Sequence, residues 1–279
     1  MKKILFTFLV VSVFISCKSK TNPTVNDSLV NNSPTKNQTD ELIQKFKPFI
    51  QGVWVKADYF NKVIKTKSPL AAADEATGIT TMYINTDHIK GDSIVVSAGI
   101  DNHEGGNPVL KFQPGKNPSS IIFNDGELSY SVENGDTVLT LLQFDEAKKL
   151  LIKTKYIKAL NKQADDDIGY GMNYIINKNL ISGNYTLTDS LGIKTRVTFN
   201  NNGKVSYFPG LKTFFIDTDH GNDPMSNLDN IVFNFNTKNY AFYAFKINAD
   251  TLNLYDTYAN ADSTELILGK LKYKLVRQK

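Results

Sequence analysis

The tripeptide Thr-Asp-His occurs twice, as Thr86-Asp87-His88 and Thr218-Asp219-His220, and a histidine beside a carboxylate is a pairing that general-base chemistry uses. Two such pairs meeting at an interface would make a catalytic or metal site. Each tripeptide, however, runs into a turn-like stretch, Ile89-Lys90-Gly91-Asp92 in one case and Gly221-Asn222-Asp223-Pro224 in the other. In such stretches Asp and Thr side chains bond the local backbone, so the preferred reading is structural. The third histidine, His103, sits in a glycine-rich loop, and its sequence neighbours do not supply the three or four ligands that zinc takes. Asp217, Asp219 and Asp223 with Asn222 space oxygens as a calcium loop does, but the glycine and the bidentate glutamate of an EF-hand are missing. Asp165-Asp166-Asp167 reads as a solvated linker. No Gly-x-Ser-x-Gly, phosphate loop or His-Glu-x-x-His occurs. The expectation is a protein with no catalytic residue, no metal and no cofactor.

Aromatic side chains carry the other candidate chemistry. Phe214, Phe215, Phe233, Phe235, Tyr240, Phe242, Tyr243, Phe245 and Tyr255 crowd into one part of the chain. Residues 240–247 place rings on both faces of one predicted strand, more than a barrel with one wet face requires. Two readings stay open: the rings fill a narrow barrel, or some of them meet a ligand, the rest of the chain or a partner protein. Phe233, Phe235, Phe242, Tyr243 and Phe245 are the candidate ligand contacts.

The first residues say where such a protein would work. Lys2 and Lys3 give a positive head, Ile4 to Ile15 a short apolar run, and Ser16 a small residue before Cys17, the sole cysteine. The pattern resembles the lipobox of bacterial lipoproteins, in which a signal peptidase cuts before the cysteine and the thiol is then acylated. That resemblance implies a signal peptide over 1–16, a lipid on Cys17 and residence in the cell envelope at the outer membrane. With Cys17 consumed, no disulfide or thiolate metal site remains within one chain. Losing Lys2 and Lys3 with the signal lowers the net charge from +4 to +2. The lysines are scattered along strands and loops, which argues against a nucleic-acid partner. Residues 17–39, rich in Asn, Ser, Thr, Pro and Lys, bury too little to offset their ordering entropy and read as a flexible tether. At roughly 5–6 Å times the square root of its length, such a coil reaches some tens of Å.

The elements that must position all these residues come as a repeat. An apolar lead runs into Gly52-Val53-Trp54 in one copy and Gly183-Asn184-Tyr185 in the other. The Thr-Asp-His tripeptides, the β-branched runs Ile94-Val95-Val96 and Ile231-Val232-Phe233, an Asp-Thr opening an alternating strand at Asp136 and Asp250, and a final lysine-striped strand follow in the same order. The last strand alternates Ile267, Gly269, Leu271, Tyr273 and Leu275 with Leu268, Lys270, Lys272 and Lys274, period two with one dry face. Asn124-Asp125-Gly126, Asn134-Gly135-Asp136 and Asn202-Gly203 punctuate the runs as hairpin turns. The pattern predicts an all-β protein of two consecutive antiparallel barrels or sandwiches, about seven or eight strands each, every copy preceded by a short helix. Its divisions are a first β domain over 40–160, a linker over 161–173 and a second β domain over 174–279.

A helical lead, Gly-x-Trp on the first strand and an up-and-down meander resemble the lipocalin and wider calycin superfamily. The resemblance implies that Trp54, and by replacement Tyr185, plug one end of a barrel under the closing helix, with Gly52 and Gly183 belonging to the same barrel-closing motifs. The leading functional expectation is a membrane-tethered, non-enzymatic binding module for a small apolar or glycan-like ligand. The alternatives are an accessory subunit docked on an outer-membrane protein complex through exposed aromatics, and a hydrolase with an unrecognised site.

Overall fold

The computed structural model describes residues 35–163, 167–189, 191–221 and 224–278. Lys2, Lys3, the apolar run after them and Cys17 lie outside the described residues. The first half comprises α1 (Lys36–Ile50), β1 (Gly52–Lys56), α2 (Ala57–Thr66), β2 (Ile79–Ile84), β3 (Ser93–Val95), β4 (Ser97–Ile100), β5 (Glu104–Gly106), β6 (Val109–Pro114), β7 (Ser120–Phe123), β8 (Gly126–Glu133), β9 (Asp136–Asp145) and β10 (Leu150–Leu160). The second comprises α3 (Tyr170–Ile176), a π-helical turn Asn177–Ile181, β11 (Gly183–Thr188), β12 (Lys194–Phe199), β13 (Lys204–Phe208), β14 (Leu211–Ile216), β15 (Asn230–Phe233), β16 (Ala241–Asn248), β17 (Thr251–Ala259) and β18 (Leu266–Arg277). The protein is all-β in class, as its alternating runs predict. Among the described residues no helix is long and apolar enough to cross a membrane.

In the second half β11 to β18 pair in sequence order and β18 returns to β11, closing an eight-stranded antiparallel barrel. The first half is a ten-stranded antiparallel sheet in the order β3-β6-β7-β8-β9-β10-β1-β2-β4-β5. The helical leads start or end away from the boundaries the composition suggests. Thr35 caps α1, its side chain accepting a hydrogen bond from Gln38 N, so the end of the stretch read as tether is helix, with Thr39 buried. The amphipathic spacing of Leu42, Phe46 and Ile50 wins over the polar composition there, because it gives the helix a face to bury. Phe46 and Phe49 both pack on Tyr130 of β8, edge-on and stacked respectively. Likewise α3 begins at Tyr170, inside the stretch read as linker.

Both leads hand over to the sheet through the same device. Gly52 has φ +128° and Gly183 φ +146°, conformations closed to other residues, and a Cβ on Gly52 would stand 2.5 Å from the Leu160 carbonyl oxygen. Two residues on, the indole of Trp54 donates from Nε1 to the Ile50 carbonyl at 2.8 Å, and the hydroxyl of Tyr185 donates to the Ile181 carbonyl at 2.6 Å. Each ring is covered by a cation from the last strand of its own half. Lys158 Nζ stands 4.7 Å from the Trp54 ring centroid and reaches the Phe49 carbonyl; the Arg277 guanidinium stands 5.3 Å from Tyr185 and donates to the Leu180 carbonyl. Burial lowers the Lys158 ammonium pKa and raises that of the Tyr185 phenol.

Among the described residues the second half lacks a counterpart to α2, which the sequence reading missed. Tyr59 and Val63, four residues apart, form its buried side, and Lys67 in the left-handed region ends it. Along β1 the side chains alternate between two cores: Trp54 joins Phe46, Met82, Phe112, Phe123 and Tyr156 within the first half, whereas Val55 joins a second cluster. That second cluster unites Tyr59 and Val63 of α2 and Met172 and Ile176 of α3 with the barrel residues Phe199, Phe214, Phe233 and Leu254. Gly171 lets α3 sit directly on β1, since a Cβ there would overlap Val53 Cγ1.

Trp54 is fully buried, so Trp54→Ala should cost about 3–5 kcal/mol in urea-unfolding experiments, the range for large aromatic truncations in a core. A loss below about 1 kcal/mol would contradict its place in the core.

Candidate functional site

Where α2, the β4–β5 hairpin and the loop after β14 come together, the two halves exchange polar contacts. The hairpin tip is Asp101-Asn102-His103, with Asp101 and Asn102 at φ 54° and 58°, a conformation that Asp and Asn tolerate. Asp101 Oδ1 pins the tip by accepting from Gly78 N at 2.6 Å. The turn thus thrusts two side chains across to the second half. Asn102 Nδ2 donates to the Thr218 carbonyl at 3.1 Å, and His103 Nδ1 meets Asp219 Oδ2 at 2.7 Å. The side chains of this pair are 53% and 37% exposed. Beside them Leu70 N donates to Asp229 Oδ1 and Lys67 Nζ to the Ala249 carbonyl, tying the end of α2 to the barrel.

A cleft of about 280 Å³ opens next to these contacts, at the lower edge of the ~300–1,000 Å³ typical of small-molecule sites. Its walls are Thr80 and Thr81 of β2, Gly99 of β4, Asn102 to Gly105 of the hairpin, Asp167 to Gly169 and Met172 ahead of and on α3, and Thr218. Ile168 lies against the two glycines of the hairpin, close enough that a Cβ on Gly105 would stand 3.0 Å from its Cδ1 and one on Gly99 3.2 Å from its Cγ2. Thr80 Oγ1 donates to the Gly99 carbonyl, but the hydroxyl of Thr81, a residue only 3% exposed, is buried without a partner among the described residues. A buried hydroxyl that bonds nothing costs on the order of 1–3 kcal/mol.

Asp217 and Asp219 flank Thr218 of the cleft wall. Burial raises the Asp217 carboxyl pKa and the neighbouring Asp219 carboxylate adds to this, while the Asp219 amide that bonds it and the nearby His220 pull the other way. The Tyr59 phenol is pushed up chiefly by burial and further by Asp229, Asp217 and Asp219, against an interaction with the Asn102 side chain.

The structure separates the two Thr-Asp-His tripeptides into different settings. Thr86 presents its backbone N–H and its hydroxyl to Gln51 Oε1, each at 2.7 Å, and Asn85 Oδ1 accepts from Asp87 N. His88 lies beside Asn85 in this local turn. His220 bonds the Ser226 carbonyl through Nδ1 at 3.1 Å. The histidine that does meet a carboxylate of the other half is His103, whose partner Asp219 is 116 residues away in sequence and so could not be read from local spacing. The signal within reach was Asp101-Asn102, a turn pair that exposes whatever follows it. Of the calcium-loop residues, Asn222 and Asp223 lie outside the described residues; among those described, no group of three His, Cys, Asp or Glu side chains is placed to hold a metal ion.

Among the aromatic candidates, Phe233 and Phe245 are buried in the second core. Phe233 packs against Phe208 and Tyr243 with ring centroids 5.8 and 6.0 Å apart, and Tyr243 continues to Tyr273. Phe242 is half-buried, paired in register with Val232, and Phe235 is 57% exposed with its ring edge-on to Phe215. These side chains are a barrel core and its outer surface; the cleft lies elsewhere.

Asp217 gives a pH signature. Its folded pKa is raised above the unfolded value near 3.9, so the fold binds more protons than the unfolded chain in the window above about pH 4, and stability falls as pH rises through the folded pKa. Asp217→Asn, which keeps an acceptor for Asp219 N, should therefore be more stable than the wild type at neutral pH, with the gap closing below about pH 4. A gap of constant size in urea titrations across that range would refute the assignment. Comparison with protein families, with curated proteins and with solved structures finds no match to the chain.

Proposed function

We propose that the chain is a non-enzymatic binding module, exported and tethered at the outer membrane by lipid on Cys17, and that it takes its small ligand in the cleft between the β4–β5 hairpin and α3. The observation that carries this reading is the cleft's construction: both halves wall it, glycines bring its backbone close, and a buried Thr81 hydroxyl beside it lacks a partner among the described residues. Ligand sites concentrate at such junctions, where a few polar groups converge on a preformed hollow.

The calycin-like reading of both halves belongs to the same proposal. In it the first half is also an eight-stranded barrel. Only Val96 separates β3 from β4, and only Asn107 and Pro108 separate β5 from β6. Val96 N donates to the Pro108 carbonyl at 2.9 Å between the pairings β3–β6 and β4–β5, so the two interruptions lie opposite each other in one long hairpin. With β3 and β4 counted as one bent strand, the pairings run from β1 through β2 and around to β10, which pairs with β1 again. The matched Gly52 and Gly183, and Trp54 and Tyr185 under their helical leads, support the same reading.

Two measurements test the function. Native mass spectrometry of the purified full chain should show a bound small molecule, and Gly105→Leu, which fills the cleft beside Ile168, should reduce its occupancy at least about tenfold. Clean apo protein would overturn the ligand reading in favour of a docked accessory subunit, for which the exposed Phe144, Leu150 and Leu151 of the β9–β10 hairpin would be the interface. Cys17→Ala should move the protein from the membrane to the soluble fraction, because stable anchoring depends on the acyl chains; unchanged fractionation would remove the tether from the account.

A further inference from the structure

We infer that the ligand of the junction cleft is a small organic cation carrying a protonated amine, an inference that rests on the reading of this cleft as the binding site. The charged side chains on its walls are Glu104 and Asp167, together with His103, which is held by Asp219; among the described residues no lysine or arginine lines it. Asp217 adds a further carboxyl behind Asp219. An anion would meet acid on two sides. An ammonium group has three donors and no acceptor, and acceptors are what these walls offer.

The second observation is independent of charge. Ile168 and Met172 form an apolar wall on which an alkyl stem can lie. The volume of about 280 Å³ limits the guest to a short diamine or an amine of similar bulk and excludes a peptide segment. Glu104 and Asp167 are exposed, so each contributes the modest attraction of a solvent-screened pair, and the affinity should weaken as salt is added.

The test is calorimetric titration of the full chain in detergent with three guests of equal length: putrescine, 1,4-butanediol and succinate. Putrescine should bind roughly five- to tenfold tighter than butanediol, succinate should not bind, and Gly105→Leu should abolish the putrescine signal. The double variant Glu104→Gln, Asp167→Asn removes both charges while the amide oxygen at the second position still accepts from Gly169 N, and it should bring putrescine down to the affinity of butanediol. If butanediol matches putrescine and both respond to Gly105→Leu, the cleft binds but the cation assignment fails. If putrescine binds regardless of Gly105→Leu, or if none of the three binds, the amine inference is overturned. A co-purified guest that Gly105→Leu displaces would still uphold the cleft in that last case.

Discussion

The buried cluster shared by α2, α3 and the closed barrel is the constraint on which the rest of the molecule depends. Tyr59 and Val63 of α2 and Val55 of β1 share this core with Met172 and Ile176 of α3 and with Phe199, Phe214 and Leu254 of the barrel. Burying such side chains contributes on the order of 1.5–3 kcal/mol each, so prising the halves apart would expose a face neither could leave in water. Val53 and Val55 on the outward side of β1 and the close seat of Gly171 fix how α3 lies on the first sheet. Polar contacts at the edge of this core, Leu70 to Asp229 and His103 to Asp219, then set orientation more than strength, because the His–Asp pair is half exposed.

That arrangement explains why a hollow persists beside the junction. The apolar core brings β2, the β4–β5 hairpin and the lead of α3 to fixed positions, and the hairpin's glycines leave room that side chains would fill. The Thr81 hydroxyl is then stranded by geometry that other contacts impose.

Strand and turn were legible because period-two alternation acts locally: in β10 Lys153 and Lys155 alternate with Ile152, Thr154 and Tyr156, and in β18 Lys270, Lys272 and Lys274 alternate with Leu271, Tyr273 and Leu275. Gly52-Val53-Trp54 and Gly183-Asn184-Tyr185 also signalled equivalent positions, and their rings donate to equivalent carbonyls. The cations that cover them were hidden, since Lys158 and Arg277 stand out of phase with the lysine stripes of their strands and only the pairing of the closing strand lays them across an aromatic face. Helix α2 was overlooked although Tyr59, Phe60, Val63 and Ile64 recur at helical spacing, because it follows β1 directly, with no turn residues to mark where strand gives way to helix. The cleft was illegible throughout, being built from Thr81, His103, Asp167 and Thr218, which only long-range packing unites.

The most direct measurement is equilibrium unfolding of the full chain followed by two probes, the fluorescence of Trp54, the sole tryptophan and a reporter on the first core, and hydrogen exchange at the β17–β18 amides of the barrel. If the halves share one core as described, the two transitions coincide in midpoint and slope. Separate transitions, with the barrel amides remaining protected after Trp54 is exposed, would contradict the shared core and leave the cleft without its frame.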